Sequence, residues 1–338
     1  MAVDEVTLKA AQSGDEAAFA RIVAPHRGEL RGLCYRMAGS LLDADDLLQE
    51  SLLRAWRGLS GFAGRSSLRT WLYRVTTNAC LDVLESRAAR SLPTELSPPI
   101  DGTTPISAPV QDPIFLEPCP EELWRETSPS PEARYSARES VALAFLVAVQ
   151  LLPPKQRAVL ILRDVVGWQA SECAELLDLS VAAVNSALQR ARETLAAHAR
   201  AEAVPTPIVD DAATTALLAR YVQAWERADV GALVALLHHD ATLAMPPFPE
   251  WLRGASAIGT SIEGMLFGPA GAGVFRLVPT RANGRPAMAA YQRDRATGGF
   301  VGMGIHVLDV RGDRLAAITA FLDPRLLPAF GLPATLPA

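Results

Sequence analysis

The chain has only four cysteines, Cys34, Cys80, Cys119 and Cys173, and no two of them form a CxxC pair. That scatter points away from a zinc site or a disulfide framework and toward reduced thiols, hence a cytoplasmic protein. Long apolar runs are missing as well. The longest, Val141 to Leu152, is broken by Gln150 and falls short of the roughly 20 residues that cross a bilayer. The segment Met1 to Asp15 is acidic and lacks the basic start and apolar stretch of a secretion signal. There is no internal repeat, no phosphate or dinucleotide motif, and no positive net charge: the balance is −5. What is present is a globular composition, 49% hydrophobic and 20% charged, over 338 residues, more than one ordinary domain.

Charge is segregated along the chain, and its distribution says more than its sum. Ser51 to Arg90 holds seven Arg against Asp82 and Glu85, a local excess of +5. Ser91 to Arg138 holds eight acidic residues against three Arg, a local −5. The first 90 residues carry apolar positions at spacings of three and four, predicting helices over Thr7–Gln12, Asp15–Ala38, Asp43–Gly58 and Ser67–Arg87. Ser91 to Pro131 contains ten prolines and predicts an extended linker rather than a packed element. Helical periodicity returns from Glu132 to about Glu202, and Val204-Pro-Thr-Pro207 marks a second break. Beyond it come helices over Asp211–Arg227 and Val230–His238. Strand-like segments follow at Ala241–Met245, Gly273–Thr280, Pro286–Arg293, Gly299–Val310 and Arg314–Leu322, with a hairpin turn at Arg311-Gly312-Asp313.

Trp168 to Leu195 reads as two helices around Asp178-Leu179-Ser180, with Ser180 suited to cap the second. Val181, Val184, Leu188, Ala191 and Leu195 form its apolar stripe. The opposite face carries Ala182, Ala183, Ser186, Gln189 and Arg190, flanked by Asn185 and Arg192. Such a helix can enter a major groove, with Gln189 reading adenine and Arg190 guanine, or both can hold phosphates. A plain αα-hairpin with a solvated face fits the same pattern. The run Leu151-Leu152-Pro153-Pro154-Lys155-Gln156-Arg157-Ala158-Val159-Leu160, followed by Asp164-Val165-Val166-Gly167-Trp168, resembles region four of the sigma-70 family, most closely its extracytoplasmic-function (ECF) group. The resemblance implies recognition of the minus-thirty-five promoter element by Ser180, Ala182, Ala183, Asn185, Ser186, Gln189, Arg190 and Arg192. The family often has a basic residue where Asn185 stands.

Asp43-Ala44-Asp45-Asp46-Leu47-Leu48-Gln49-Glu50 and Leu53-Arg54-Ala55-Trp56 form an amphipathic helix with an acidic face. Alone this is a solvated charge run. In the family that it resembles, the same pattern docks on a coiled coil of the largest polymerase subunit, which assigns Asp45, Asp46, Gln49 and Glu50 to that contact. Phe62 to Arg74 interleaves aromatic residues with Arg, a chemistry that suits single-stranded DNA, although Trp71 and Tyr73 equally suit a helix core. The resemblance assigns Phe62, Arg65, Ser66, Arg69, Trp71, Tyr73 and Arg74, with Thr77, Asn78, Asp82 and Arg87 of the next helix, to recognition and melting of the minus-ten element. The linker then threads the polymerase near the RNA path or is a passive tether; at about 45 residues it is longer than most ECF factors need, so part of it can contact the C-terminal module.

Arg220-Tyr221-Val222-Gln223-Ala224-Trp225 through Leu236-Leu237-His238-His239-Asp240-Ala241-Thr242 resembles the SnoaL-like, ketosteroid-isomerase-type cone fold. Enzymes of that type use a carboxylate base and an oxyanion hole. Tyr221 stands at the oxyanion position, but Met245 and Ile305 occupy the places of the two acids. His306, His239 and Asp240 are the remaining candidates for a base, each with an ordinary structural role available. No catalytic residue, metal or cofactor is therefore expected. A pocket lined by Tyr221, Met245, Trp251, Met265, Phe267, Met288, Met303, His306 and Phe321 would suit a small apolar ligand or be plain core. Pro324-Arg325-Leu326 and Phe330-Gly331-Leu332-Pro333 resemble the tail of sigma factors that carry this extension.

The sequence thus predicts a multidomain protein: two all-α domains at 1–90 and 135–202, an acidic linker at 91–134, a short linker at 203–209, and an α+β cone domain at 210–338. The expected function is that of a sigma factor that binds polymerase core and promoter DNA, regulated by its own C-terminal domain, with no membrane partner. The rivals are a SnoaL-type enzyme with a DNA-binding addition and a polymerase-independent repressor.

Overall fold

A computed structural model describes residues 4–110, 114–121, 123, 142–201, 212–268 and 271–338. The connection expected at 203–209, and the part of the linker and helix start expected within 124–141, lie outside these residues. The chain divides into two compact units, residues 1–89 with 122–202, and residues 90–121 with 203–338.

The first unit is helical. Its N-terminal part comprises α1 (Glu5–Gln12), α2 (Glu16–Val23), α3 (Arg27–Ala38), α4 (Leu41–Gly58) and α5 (Leu68–Leu84). The single helix expected over Asp15–Ala38 is two, separated by a 3-10 turn at Ala24-Pro25-His26, because Pro25 has no N–H to continue the ladder. Asp4, Asp15, Ser40 and Ser67 cap their helices with side-chain oxygens. Leu30, Leu33, Met37, Leu41, Leu59 and Leu72 are buried completely or nearly so. All four cysteines are free and buried, with Cys34 and Cys80 Sγ atoms 3.8 Å apart.

In the second part of this unit, following the single helical turn α6 (Pro93–Leu96) of the other unit, come α7 (Leu143–Gln150), α8 (Pro154–Leu160), which runs on as one π turn to Val165, α9 (Ala170–Leu177) and α10 (Val181–Ala201). Asp178, in the left-handed region at φ 56, ends α9 and sets the tight turn into α10. The buried stripe of α10 is Val184, Ala187, Leu188 and Ala191, packed on α8 and α9. Val181, expected in that stripe, is 45% exposed, and Leu195 is half-buried.

Arg157 locks the two parts together. Helix α3 ends on Gly39 (φ 70), leaving its last carbonyls without partners in the helix. Arg157, 3% exposed, donates to Met37 O at 2.5 Å, Gln150 Oε1 at 2.7 Å, Gln150 O at 2.9 Å and Leu152 O at 3.2 Å. Gln150 Nε2 adds donors to Arg36 O and Met37 O, both at 3.4 Å. Beside this polar plug, Trp168 packs on Tyr73, ring centroids 5.0 Å apart.

The second unit is a curved, mixed sheet ordered β2-β1-β6-β5-β4-β3, with β7 (Thr335–Leu336) added to β5. The strands are β1 (Leu237–Ala244), β2 (Trp251–Arg253), β3 (Phe275–Ala282), β4 (Arg285–Arg293), β5 (Phe300–Arg311) and β6 (Arg314–Phe321). Only the β1–β6 pair is parallel among these. Register shifts interrupt β1–β6, β4–β5 and β5–β6, and such irregularities bend a sheet. Helices α11 (Ala212–Glu226), α12 (Val230–Leu236) and α13 (Ala255–Ile262) cover the inner face. Strand β1 begins four residues before the expected Ala241, and β2 and α13 were not foreseen. Asn283 (φ 51) and Gly284 (φ 71) turn β3 into β4, the positive angles that a two-residue hairpin needs.

The proline-rich segment differs from the expectation that it would not pack. Arg90 to Glu121 lies on this unit and reaches both edges of its sheet. Ile100 bridges to Leu252 on β2, and Pro120 bridges to Ala282 on β3. Cys119 N donates to Asn283 Oδ1 and Asn283 N returns to Cys119 O, each at 3.0 Å. Phe115, Leu116 and Cys119 are buried. Proline bars a helix or a central strand but not an edge, and the apolar residues between the prolines supply the burial.

Gly304 sits at φ 155, and a Cβ there would stand 1.9 Å from the Phe321 carbonyl oxygen. Gly304→Ala should therefore destabilise the C-terminal unit by about 3 kcal/mol, read as a fall in its denaturation midpoint. An unchanged midpoint would contradict that packing.

Candidate functional site

The helix-turn-helix presents a defined outer face. Ser180 Oγ accepts from Ala183 N at 3.1 Å and starts α10. Ala182, Asn185, Ser186, Gln189, Arg190 and Arg192 are exposed, and Ala183 is half-buried. Arg190 donates to Ser186 Oγ at 2.6 Å, and Gln189 donates to Glu193 at 3.0 Å. Arg192 forms a two-pronged pair with Asp164, 2.9 and 2.7 Å, which raises the pKa of its guanidinium and fixes it beside the turn. Small side chains flanked by exposed donors are what close approach to base edges and phosphates requires.

On α4, Asp46 and Gln49 are exposed. Asp45 is clamped by Arg31, and Glu50 accepts from Arg54 Nε at 2.7 Å. Arg54 also donates to Asp82, and Arg87 to Asp43 at 2.7 Å, so α4 and α5 share a charged seam. The expected minus-ten residues divide by burial. Arg65, Arg74, Asn78, Asp82 and Arg87 are exposed; Ser66, Phe62 and Trp71 are half-buried, with the rings of Phe62 and Trp71 5.3 Å apart. Tyr73 and Thr77 are buried, and Thr77 Oγ1 has no hydrogen-bond partner. Tyr73 donates to Glu29 at 3.2 Å while Arg69, half-buried, donates to the same carboxylate and lies over the Tyr73 ring. Burial raises the Glu29 pKa, but the His26 and Arg69 donors outweigh it and hold the carboxyl below its usual range.

In the C-terminal unit a cavity of about 230 Å³ lies between the sheet and the helices. Met245, Met303 and His306 line it, as the sequence predicts, together with Met265. Tyr221 stands behind, its hydroxyl 3.0 Å from His306 Nδ1. Trp251 does not line it; its indole donates to Ser97 O at 2.7 Å. Met288, Phe267 and Phe321 are buried core residues outside the lining. Trp225, missed by the sequence reading, forms a wall and packs on His306 at 4.9 Å. It falls one helical turn after Tyr221, so the i, i+4 spacing held the signal. His239 and Asp240 sit on β1, where Asp240 accepts from His238.

Three family models match the chain: Sigma-70 region 2 over residues 22–90, Sigma-70 region 4 over 142–195, and a SnoaL-like domain over 218–318. A Mycobacterium tuberculosis protein named ECF RNA polymerase sigma factor SigG is 44% identical over 98% of this chain and 90% of its own length. The chain belongs to the ECF sigma factor family. The Bacillus subtilis ECF sigma factor SigW is 29% identical over 56% of this sigma factor and 92% of its own length, the part without the cone domain. The crystal structure of the Mycobacterium tuberculosis ECF sigma factor SigJ superposes with a TM-score of 0.55 at 22% identity, covering 93% of this chain and 99% of that one, a likeness of fold. Among the described residues, no helix is long and apolar enough to cross a membrane.

His306 is fully buried in this sigma factor, and desolvation lowers its pKa from 6.5 to about 4. A group that is neutral in the folded state and protonates more readily when unfolded stabilises the fold above about pH 6.5. That contribution is lost as pH falls toward 4. The His306 ring resonances should accordingly stay unshifted from pH 8 to about pH 5 in an NMR titration. A midpoint near 6.5 would show the ring to be hydrated.

Proposed function

We propose that this sigma factor directs initiation through the two surfaces above and that the described arrangement of its helical unit is a closed form. The surface of α10 around Asn185, Ser186, Gln189 and Arg190 reads the minus-thirty-five element. Phe62 through Arg74 and the outer face of α5 handle the minus-ten element. Asp45, Asp46, Gln49 and Glu50 dock on the polymerase core. Asp46→Ala with Glu50→Ala should weaken core binding at least tenfold in a pull-down or polarisation assay, with the helical content unchanged; undiminished binding would remove that assignment.

The observation that carries the closed reading is the Trp168–Tyr73 contact with the Arg157 plug beside it. The two promoter elements are separated by about 25 base pairs, or roughly 85 Å at about 3.4 Å per step. Modules whose aromatic rings touch do not serve both elements at once, so initiation requires that this contact open. It also buries Tyr73, one of the aromatic residues assigned to the melted strand. The C-terminal domain then acts on the balance between closed and open forms, and a regulator moves that balance only by binding one form better. The cone cavity serves that regulation rather than turnover, since the residues lining it include no carboxylate to act as a base.

In transcription with core polymerase, Trp168→Ala should raise initiation several-fold over the unaltered full chain by removing the aromatic contact. Truncation after Glu202 compared with the full chain gives the sign of the C-terminal domain's effect. Failure of every form to initiate would refute the functional reading; equal activity of Trp168→Ala and the unaltered chain would refute the closed form.

A further inference from the structure

The stretch of linker between Ser97 and Val110 forms part of the cavity wall. Its backbone is fastened at both ends. Ile100 N donates to Trp251 O and Val110 N to Pro247 O, each at 2.9 Å, and Ser97 O takes the Trp251 indole proton. Asp101 accepts from the backbone and hydroxyls of Thr103 and Thr104, which tightens the turn between these fastenings. Gly102 runs so close to α13 that a Cβ would stand 2.3 Å from Ala257 O. Between the fastenings, Ile106 and Ser107 reach the cavity and complete its lining.

The opposite wall holds two polar groups, the His306 ring and the Trp225 indole, whose Nε1 is buried without a hydrogen-bond partner. Tyr221 is fully buried, and its hydroxyl lies 3.0 Å from His306 Nδ1. A buried hydroxyl proton left undonated is costly, so Tyr221 donates and Nδ1 accepts. The neutral ring then carries its hydrogen on Nε2. That atom has no hydrogen-bond partner in the structure, on a side chain that is 1% exposed and lines the cavity. The rest of the lining is almost wholly apolar, with Met245 and Met303 foremost. The site is therefore a greasy chamber with two N–H donors on its wall; Trp225 Nε1 is enclosed in the packing without accessible surface, which leaves His306 Nε2 as the donor for an occupant.

We propose that this cavity binds a compact, mostly apolar molecule bearing one neutral hydrogen-bond acceptor, an aryl ketone or its like, held by His306 Nε2, and that its occupancy is coupled to the seating of linker residues 97–110. The volume of about 230 Å³ exceeds that of a cavity of about 150 Å³ known to hold benzene. It lies below the range of about 300–1,000 Å³ typical for drug-sized ligands, which limits the occupant to one or two small rings. Coupling follows because Ile106 and Ser107 belong to both structures: a ligand that packs against them stabilises the seated linker, and the seated linker strengthens the ligand's binding by the same factor. The consequence for transcription rests on the regulatory reading above, whereas binding and seating are measured without polymerase.

The test uses the full chain and 4-fluoroacetophenone, followed by 19F NMR, with 4-fluoroethylbenzene as the match that lacks the acceptor. The ketone should bind saturably and about fivefold more tightly than the hydrocarbon, the worth of one neutral hydrogen bond. His306→Phe should erase that preference, and Ala320→Leu, which fills the chamber from β6, should weaken both probes at least tenfold. Saturating ketone should slow hydrogen exchange of the Ile100 and Val110 amides in the unaltered chain but not in Ala320→Leu. Absence of saturable binding, or binding indifferent to Ala320→Leu, would overturn the site. Saturable binding that leaves both amides unchanged would overturn the coupling, and a transcription failure with binding intact would touch only the regulatory consequence.

Discussion

A buried guanidinium closing the end of a helix is the interaction on which the helical unit's arrangement depends. Burial alone drives the Arg157 pKa down to about 10, so the group stays charged at neutral pH while its surroundings penalise that charge. The carbonyls at the end of α3 and those around Gln150 return the favour that water would give. Buried charges held this way contribute little net stability, because desolvation nearly offsets the hydrogen bonds; removing one partner is what costs roughly 3–5 kcal/mol. Geometry is what Arg157 fixes. On the closed reading proposed above, opening into water would resolvate both the guanidinium and the α3 carbonyls, and the apolar contacts between the two parts, Trp168 on Tyr73 among them, would set how far closure is favoured. An interlock of that kind is specific in register yet inexpensive to release, which suits modules that must part to read distant elements.

The same physics explains what was legible in the sequence. Helix α10 was readable because its stripe obeys the 3.6 period, and Val184, Leu188 and Ala191 are buried as that period requires. Ala187 joined them unnoticed because a small residue signals little by hydropathy. On α5, interleaved aromatics and arginines suggested a surface, but Tyr73, Thr77, Cys80 and Leu84 recur at spacings of four, three and four and are buried. For Tyr73 the burial agrees with the helix-core alternative, which its period favours. In the cone domain, Met245, Met303 and His306 were identified as cavity residues while Met288 and Trp251 were not separable from them. Alternation along a strand says which residues point inward, not which of them meet a void. That distinction arises only from the bends in the sheet, which follow from tertiary packing.

The linker was misjudged for a related reason. Ten prolines and a negative charge describe what the segment does not form, and the inference that it stays unpacked goes further than proline chemistry does. An extended chain can still pair with an edge through single groups: Ile100 N donates to Trp251 O on β2, and Cys119 O accepts from Asn283 N where β3 turns into β4. Covering edges β2 and β3 also removes the unpaired strands that would otherwise recruit another chain. Residues 90–121 of the segment between the two DNA-reading modules are thus structurally part of the third domain.

That attachment has a mechanical consequence which follows from chain length alone. From the end of α5 at Leu84 to the start of α7 at Leu143, an unattached chain of about 58 residues extends to roughly 190 Å, far beyond the roughly 85 Å between the promoter elements. With residues 90–121 seated, the covalent limit for the 21 residues from 122 to 142 is roughly 69 Å. Seating the linker therefore converts a generous tether into a short one whose remaining reach depends on the cone domain that holds it. A domain that grips the tether between two modules needs no contact with DNA to influence initiation. On the regulatory reading proposed above, it would act by setting how much chain is available for the modules to separate, with its grip on residues 97–110 setting how readily that chain is released.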